Sequence, residues 1–133
     1  MMVNLVQRLS ELIGYPERVP EGAVSFAFRV DDDPVETRMT GGALLMRWTF
    51  PGNAPVERLA EFAAGRFLRE TAVLAWDPVR ERPFLWRLAA KGAGDRELVQ
   101  TFREFLASRD WWKGCVAELT KPKATLRDLV IRP

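Results

Sequence analysis

Apolar side chains recur at Met2, Leu5, Val6, Leu9, Leu12 and Ile13, while Asn4, Gln7, Arg8, Ser10 and Glu11 fall between them. That spacing follows the 3.6-residue turn and predicts an amphipathic helix with one face against a core. Gly14 and Tyr15-Pro16 supply its stop. From Ala23 to Val30 the period changes to two, with Val24, Phe26, Phe28 and Val30 alternating with Ala23, Ser25, Ala27 and Arg29. Aromatic and β-branched residues at that period predict a strand. Asp31-Asp32-Asp33-Pro34 reads as a turn. A second strand follows over 35–40, with Val35, Thr37 and Met39 opposite Glu36, Arg38 and Thr40. Gly41-Gly42 is a hairpin signal, and 43–50 forms a third strand with Leu44, Met46, Trp48 and Phe50 on one face. Three strands joined by short turns make an antiparallel meander.

Pro51 to Pro55 breaks the sheet. From Pro55 to about Glu70 the helical period returns, with Val56, Leu59, Ala60, Ala63 and Phe67 on one face. Phe62 and Leu68 lie off that stripe, so this helix is apolar on two sides and needs two surfaces to bury against. Residues 71–76 and 83–91 read as strands, the second holding Phe84, Trp86 and Leu88, with a turn begun by Asp77-Pro78. After Gly92-Ala93-Gly94, Asp95 is the expected N-cap of a long helix. Its stripe is Leu98, Phe102, Phe105, Trp112, Val116 and Leu119, limited by Pro122. The order α–β–β–β–α–β–β–α predicts an α+β fold. No repeat or low-complexity tract interrupts it.

The chain has 133 residues, about half of them apolar, which is enough for one core without a metal or disulfide. A single domain over 1–119 and a basic tail over 120–133 are expected. The net charge is +2, but the tail alone carries Lys121, Lys123, Arg127 and Arg132 against Asp128, which leaves residues 1–119 at −1. A nucleic-acid binder needs a basic stripe on a folded face, so that class is disfavoured. No run reaches the length of a membrane span. The N-terminus lacks the pattern of a secretory signal, and the lone Cys115 cannot form an internal disulfide; a cytoplasmic protein is expected.

The chain contains no histidine. That removes the commonest general base and metal ligand, and it excludes Ser–His–Asp and Cys–His catalysis. One cysteine leaves no structural zinc site. No phosphate-binding loop or dinucleotide fingerprint is present. The Asp31–Asp33 run lacks calcium-loop spacing and reads as a solvated turn. Glu57 and Glu61 read as exposed helix charges rather than a hydrolytic pair, and Cys115 as a small buried hydrophobe. Trp48, Trp76, Trp86, Trp111 and Trp112 read mainly as core, with one of the adjacent pair 111–112 free to face a partner. No enzyme, metal or cofactor is expected. Binding another protein is.

The element order, the size, the opening helix (Leu5, Val6, Leu9, Leu12, Ile13, Gly14), the meander ending in Leu44-Leu45-Met46, Leu59 and Phe67 of the second helix, and Phe102, Phe105, Leu106 and Trp112 of the last resemble the class I type III secretion chaperones. The resemblance spans residues 1 to about 119. It implies a strongly twisted, five-stranded antiparallel sheet with three helices, and a homodimer formed through the second helix and the following strand. Here those positions are Leu59, Phe62, Phe67, Val73 and Trp76. It also implies apolar grooves around which the N-terminal segment of an effector or regulator client wraps in extended form, with Leu5, Leu9, Phe26, Phe28, Leu44 and Trp48 as candidate partner-binding residues. Such a protein would hold its client soluble and export-competent without ATP. The alternatives are an α+β regulatory or sensory interaction domain and, more weakly, a nucleic-acid binder using the basic tail.

Overall fold

A computed structural model of the protein describes residues 4–66 and 72–120. The elements are α1 (Leu5–Ile13), β1 (Ser25–Val30), β2 (Asp33–Thr40), β3 (Ala43–Thr49), α2 (Val56–Arg66), β4 (Val73–Asp77), β5 (Arg82–Ala89) and α3 (Asp95–Thr120). The expected order is therefore the observed one.

All strands pair antiparallel in one five-stranded sheet of order β1-β2-β3-β5-β4. The β1–β2 hairpin turns on two residues, because Val30 pairs with Asp33. Both turn residues, Asp31 and Asp32, have positive φ, which is the geometry that matches strand twist and that aspartate tolerates. The turn is thus shorter than the Asp31–Pro34 stretch suggests, and Asp33-Pro34 opens β2 instead. Pro34 is accommodated because it lies before the β2–β3 ladder begins at Glu36. Gly41 and Gly42 close the β2–β3 hairpin in the same way, with φ of 56° and 82°.

Helices α1 and α3 pack on one face of the sheet. Leu5, Val6 and Leu9 of α1 meet Phe28, Val35, Leu44, Met46, Trp48 and Leu85 of the sheet and Leu98, Phe102, Phe105, Trp112 and Val116 of α3 in one core. Aromatic rings tie it together in edge contacts: Tyr15–Phe28 at 4.9 Å, Phe28–Phe102 at 6.1 Å and Phe50–Trp112 at 5.8 Å. Asn4 caps α1 by accepting from the Gln7 N–H, and Gly14 ends it in a left-handed conformation.

Two local expectations change. Gly94, not Asp95, precedes α3 and accepts from the Leu98 N–H. Asp95 occupies the first turn, where its charge suits the helix N-terminus, and it pairs with Arg8 of α1. In α2, Leu59 and Ala63 face the core while Val56 and Ala60 are exposed, so the inward stripe is narrower than the periodicity suggests. Helix α3 runs through Thr120, short of Pro122; residues 121–133 lie outside the described residues.

Candidate protein-binding surfaces

Five of the six candidate groove residues belong to the interior. Leu5, Leu9, Phe28, Leu44 and Trp48 are all buried within the subunit, and of these Trp48 also edges a groove at the end of the sheet. Their periodicity marked the inward stripe of α1 and the inward face of the meander, which is where such stripes normally point. Phe26 is half-buried at the rim, against Tyr15 and Phe28. Of the five candidate dimer residues, Leu59 is buried in the core. Phe62 has no described side chain and Phe67 lies outside the described residues. Val73 and Trp76 are brought to the surface of β4, 47% and 49% exposed.

An apolar row lies on the sheet face opposite α1 and α3. Register makes this unavoidable. Because Trp48 pairs with Leu85 and Leu44 with Ala89 on the core side, the alternate pairs Leu45–Leu88, Arg47–Trp86 and Thr49–Phe84 must point outward. Across the next ladder Val73 stands opposite Trp86 and Ala75 opposite Phe84. Leu45, Phe84 and Trp86 are half-buried, and Leu88 is 42% exposed. Among the described residues no helix covers this strip. The large side chains singled out in the β5 sequence, Phe84, Trp86 and Leu88, are thus its outer row.

An ion network organises the strip. Arg47 lies over the Phe84 ring at 3.9 Å and pairs with Asp77. The Asp77 carboxylate also accepts from the backbone N–H of Val79 (2.9 Å) and Arg80 (3.2 Å), which shapes the β4–β5 turn. Arg80 reaches across to Glu36 at 2.7 Å and to the Thr49 hydroxyl at 3.1 Å. The Arg80 N–H, then that of Val79 and the Arg47 guanidinium, hold the Asp77 carboxyl below the ordinary aspartate value of 3.8 although burial opposes them. Arg8 lowers Asp95 and Arg87 lowers Glu104 in the same way.

A carboxyl depressed in the fold stabilises it fully above the unfolded value, and that contribution is lost as pH falls through the folded value. Urea-unfolding midpoints are therefore expected to fall on acidification, most steeply below about pH 4. In Asp77→Asn the fall should be shallower, starting from a lower neutral-pH midpoint. An acid limb as steep as that of the wild type would remove Asp77 from the linkage.

The sheet edges are unequal. In β1 the Val24 carbonyl accepts from the Met39 N–H on the β2 side, so the backbone groups of Ala23, Ser25, Ala27 and Arg29 point to the open edge. Asn4 donates to the Ala23 carbonyl (3.0 Å) and the Tyr15 hydroxyl accepts from the Arg29 N–H (2.9 Å). Between those two side chains, Ser25 and Ala27 are exposed, and their outward backbone groups have no partner among the described residues. A groove of about 670 Å³ opens beside this window, floored by Leu45 and walled by Ala27, Glu36, Arg38, Arg47 and Arg80. A second, of about 630 Å³, lies between Trp48, Phe50 and Pro51 at the sheet end and Val116 and Ala117 of α3.

The aspartate run holds no ion site. Asp31 faces Arg109 at 3.5 Å and Asp33 pairs with Lys113. Among the described residues no group of three metal-ligating side chains is present, and no helix is long and apolar enough to cross a membrane. Cys115 is half-buried against the core edge.

No protein-family model matches the sequence, and no curated protein matches it. Solved structures do. A chain in the ExoT–SpcS complex from Pseudomonas aeruginosa superposes with a TM-score of 0.62 at 14% identity, covering 80% of this protein and 92% of that chain. A chain in the HopA1–SchA chaperone–effector complex gives 0.62 at 15% identity over 83% and 88%. One in the ExsC–ExsE complex gives 0.62 at 16% identity over 84% and 90%. The fold is type III secretion chaperone-like. Within that fold, the outward row of β5 and the β1 edge between Asn4 and Tyr15 are left uncovered among the described residues. Sequence reasoning missed both: the first depends on strand register and the second on two long-range side-chain contacts.

Proposed function

We propose that the protein is a non-catalytic, ATP-independent chaperone that binds an extended N-terminal segment of a secreted effector or regulator and keeps it soluble for export. The observation that carries this reading is the outer sheet face, where half-buried Leu45, Phe84 and Trp86 and exposed Leu88 form an apolar row, and where Leu45 floors the groove beside the open edge window at Ser25 and Ala27. An extended client adds main-chain hydrogen bonds at such an edge and seats alternate side chains on the face. Each Å² of apolar area removed from water contributes roughly 25 cal/mol, offset by the several kcal/mol that ordering the client costs. The shared fold with a chain of a chaperone–effector complex supports the same reading. Co-expression with proteins encoded beside it, followed by pull-down and mapping of the captured region, tests it. Recovery of one neighbour through its N-terminal segment is expected; a well-folded protein that captures no such segment overturns the proposal.

We further propose a homodimer that uses the exposed apolar residues of β4 and α2, Val73 and Trp76 on the strand and Val56 and Ala60 on the helix. Light scattering should show a dimer at micromolar concentration. Trp76→Glu should raise its dissociation constant by about two orders of magnitude, as loss of a central aromatic anchor does. A monomeric wild type ends the dimer proposal.

A further inference from the structure

The outer face carries more guanidinium than carboxylate. Its strand residues include Arg29, Arg38, Arg47 and Arg82 against Glu36 and Asp77 alone. The β4–β5 turn brings a fifth arginine, Arg80, into the groove beside the β1 window, where Glu36 is the one carboxylate in the lining. Both carboxylates are already engaged, Glu36 by Arg80 and Asp77 by Arg47. Arg38 and Arg82 are exposed and have no ion-pair partner among the described residues. Arg38 stands next to Leu45 across the β2–β3 ladder, so an apolar seat and an unneutralised cation lie side by side. Residues 1–119 together carry a net charge of −1, so this surplus is a property of one face.

Resting on the chaperone reading above, we infer that the client segment is acidic: an extended peptide that sets apolar side chains on Leu45 and carboxylates against Arg38 and its neighbours. Charge complementarity selects it over a basic or neutral segment and raises the rate of encounter. A nucleic acid fits less well. Its backbone would run past Glu36 and Asp77, its sugar-phosphate chain cannot complete the Ser25–Ala27 ladder, and Phe84 is already stacked under Arg47.

The full chain is titrated, by fluorescence anisotropy, into labelled peptides of about ten residues that alternate valine with glutamate, glutamine or lysine, and into a single-stranded oligodeoxynucleotide. The glutamate peptide should bind about tenfold more tightly than the glutamine peptide at low salt, as two or three partly shielded ion pairs allow. Most of that advantage should vanish at about 0.5 M salt, where exposed charges are screened. Arg38→Glu should cancel the advantage of the glutamate peptide over the glutamine peptide while leaving urea stability unchanged. Equal binding of the glutamate and glutamine peptides overturns the acidic-client inference and leaves the chaperone reading standing. Preference for the lysine peptide or the oligonucleotide overturns the inference too. Failure of every peptide to bind takes both.

Discussion

Trp112→Ala is expected to destabilise the protein by about 3–5 kcal/mol, the range for removing a large aromatic from a packed core. The reason is position. Trp112 is buried on α3, in edge contact with Phe50 at the end of β3 and with Trp111 on its own helix. Phe50 in turn packs on Trp48 at 4.6 Å. Truncation opens a cavity where helix and sheet meet, and the rings of Phe50 and Trp111 lose contacts that cannot be remade without moving the helix. A domain of this size is stabilised by only about 5–15 kcal/mol in total. Urea denaturation measures the change, and a loss under about 1 kcal/mol would show that the site collapses around the gap. Trp111→Ala, a half-buried neighbour, is the control and should cost much less.

Arg109→Ala is expected to cost about 3 kcal/mol, and Arg109→Met only about 1. Arg109 is 1% exposed on α3, yet it lies among the most buried side chains of the fold. Its guanidinium donates to the Val30 carbonyl at 3.1 Å and to Asp110 at 2.7 Å, and faces Asp31 at 3.5 Å. It therefore joins the long helix to the β1–β2 turn. Both carboxylates sit in solvent, so the cation is buried but its partners are not. Alanine removes the stem as well as the charge and leaves a void. Methionine restores most of the volume, and replacing a buried ion by a well-packed apolar chain is often near neutral. The contrast is the test: if methionine is as damaging as alanine, the hydrogen bonds and not the packing hold this joint.

The two variants also mark where the sequence was readable. Helix α1, the meander and α3 announce themselves because each has one buried face, and the period of that face is the signal. Arg109 was hidden because it occupies a stripe position. The core row runs Phe102, Phe105, Arg109, Trp112 and Val116 at steps of three and four, and the seven-residue gap in apolar residues between Phe105 and Trp112 was the visible trace. Strand β5 misleads for a different reason. It carries apolar side chains on both faces, so alternation alone cannot decide which row is interior; pairing with β3 decides it, and sends the smaller Leu85 and Ala89 inward. The candidate groove residues follow the same logic. Leu5, Leu9, Phe28, Leu44 and Trp48 have the pattern of a core because they are the core. The proposed binding surface is legible only in three dimensions, where Arg38, Leu45 and the β1 edge meet.

The side chains that flank Ser25 and Ala27 carry one more consequence. A long bare strand margin invites identical margins from other molecules to zip onto it, and the outcome is polymer. Asn4 and Tyr15 interrupt that margin at both ends, so two copies meeting rim to rim would find only a few rungs to share. A slender, flexible guest can still thread the gap. The same two contacts that ration the opening thus limit strand-to-strand self-assembly along the β1 edge.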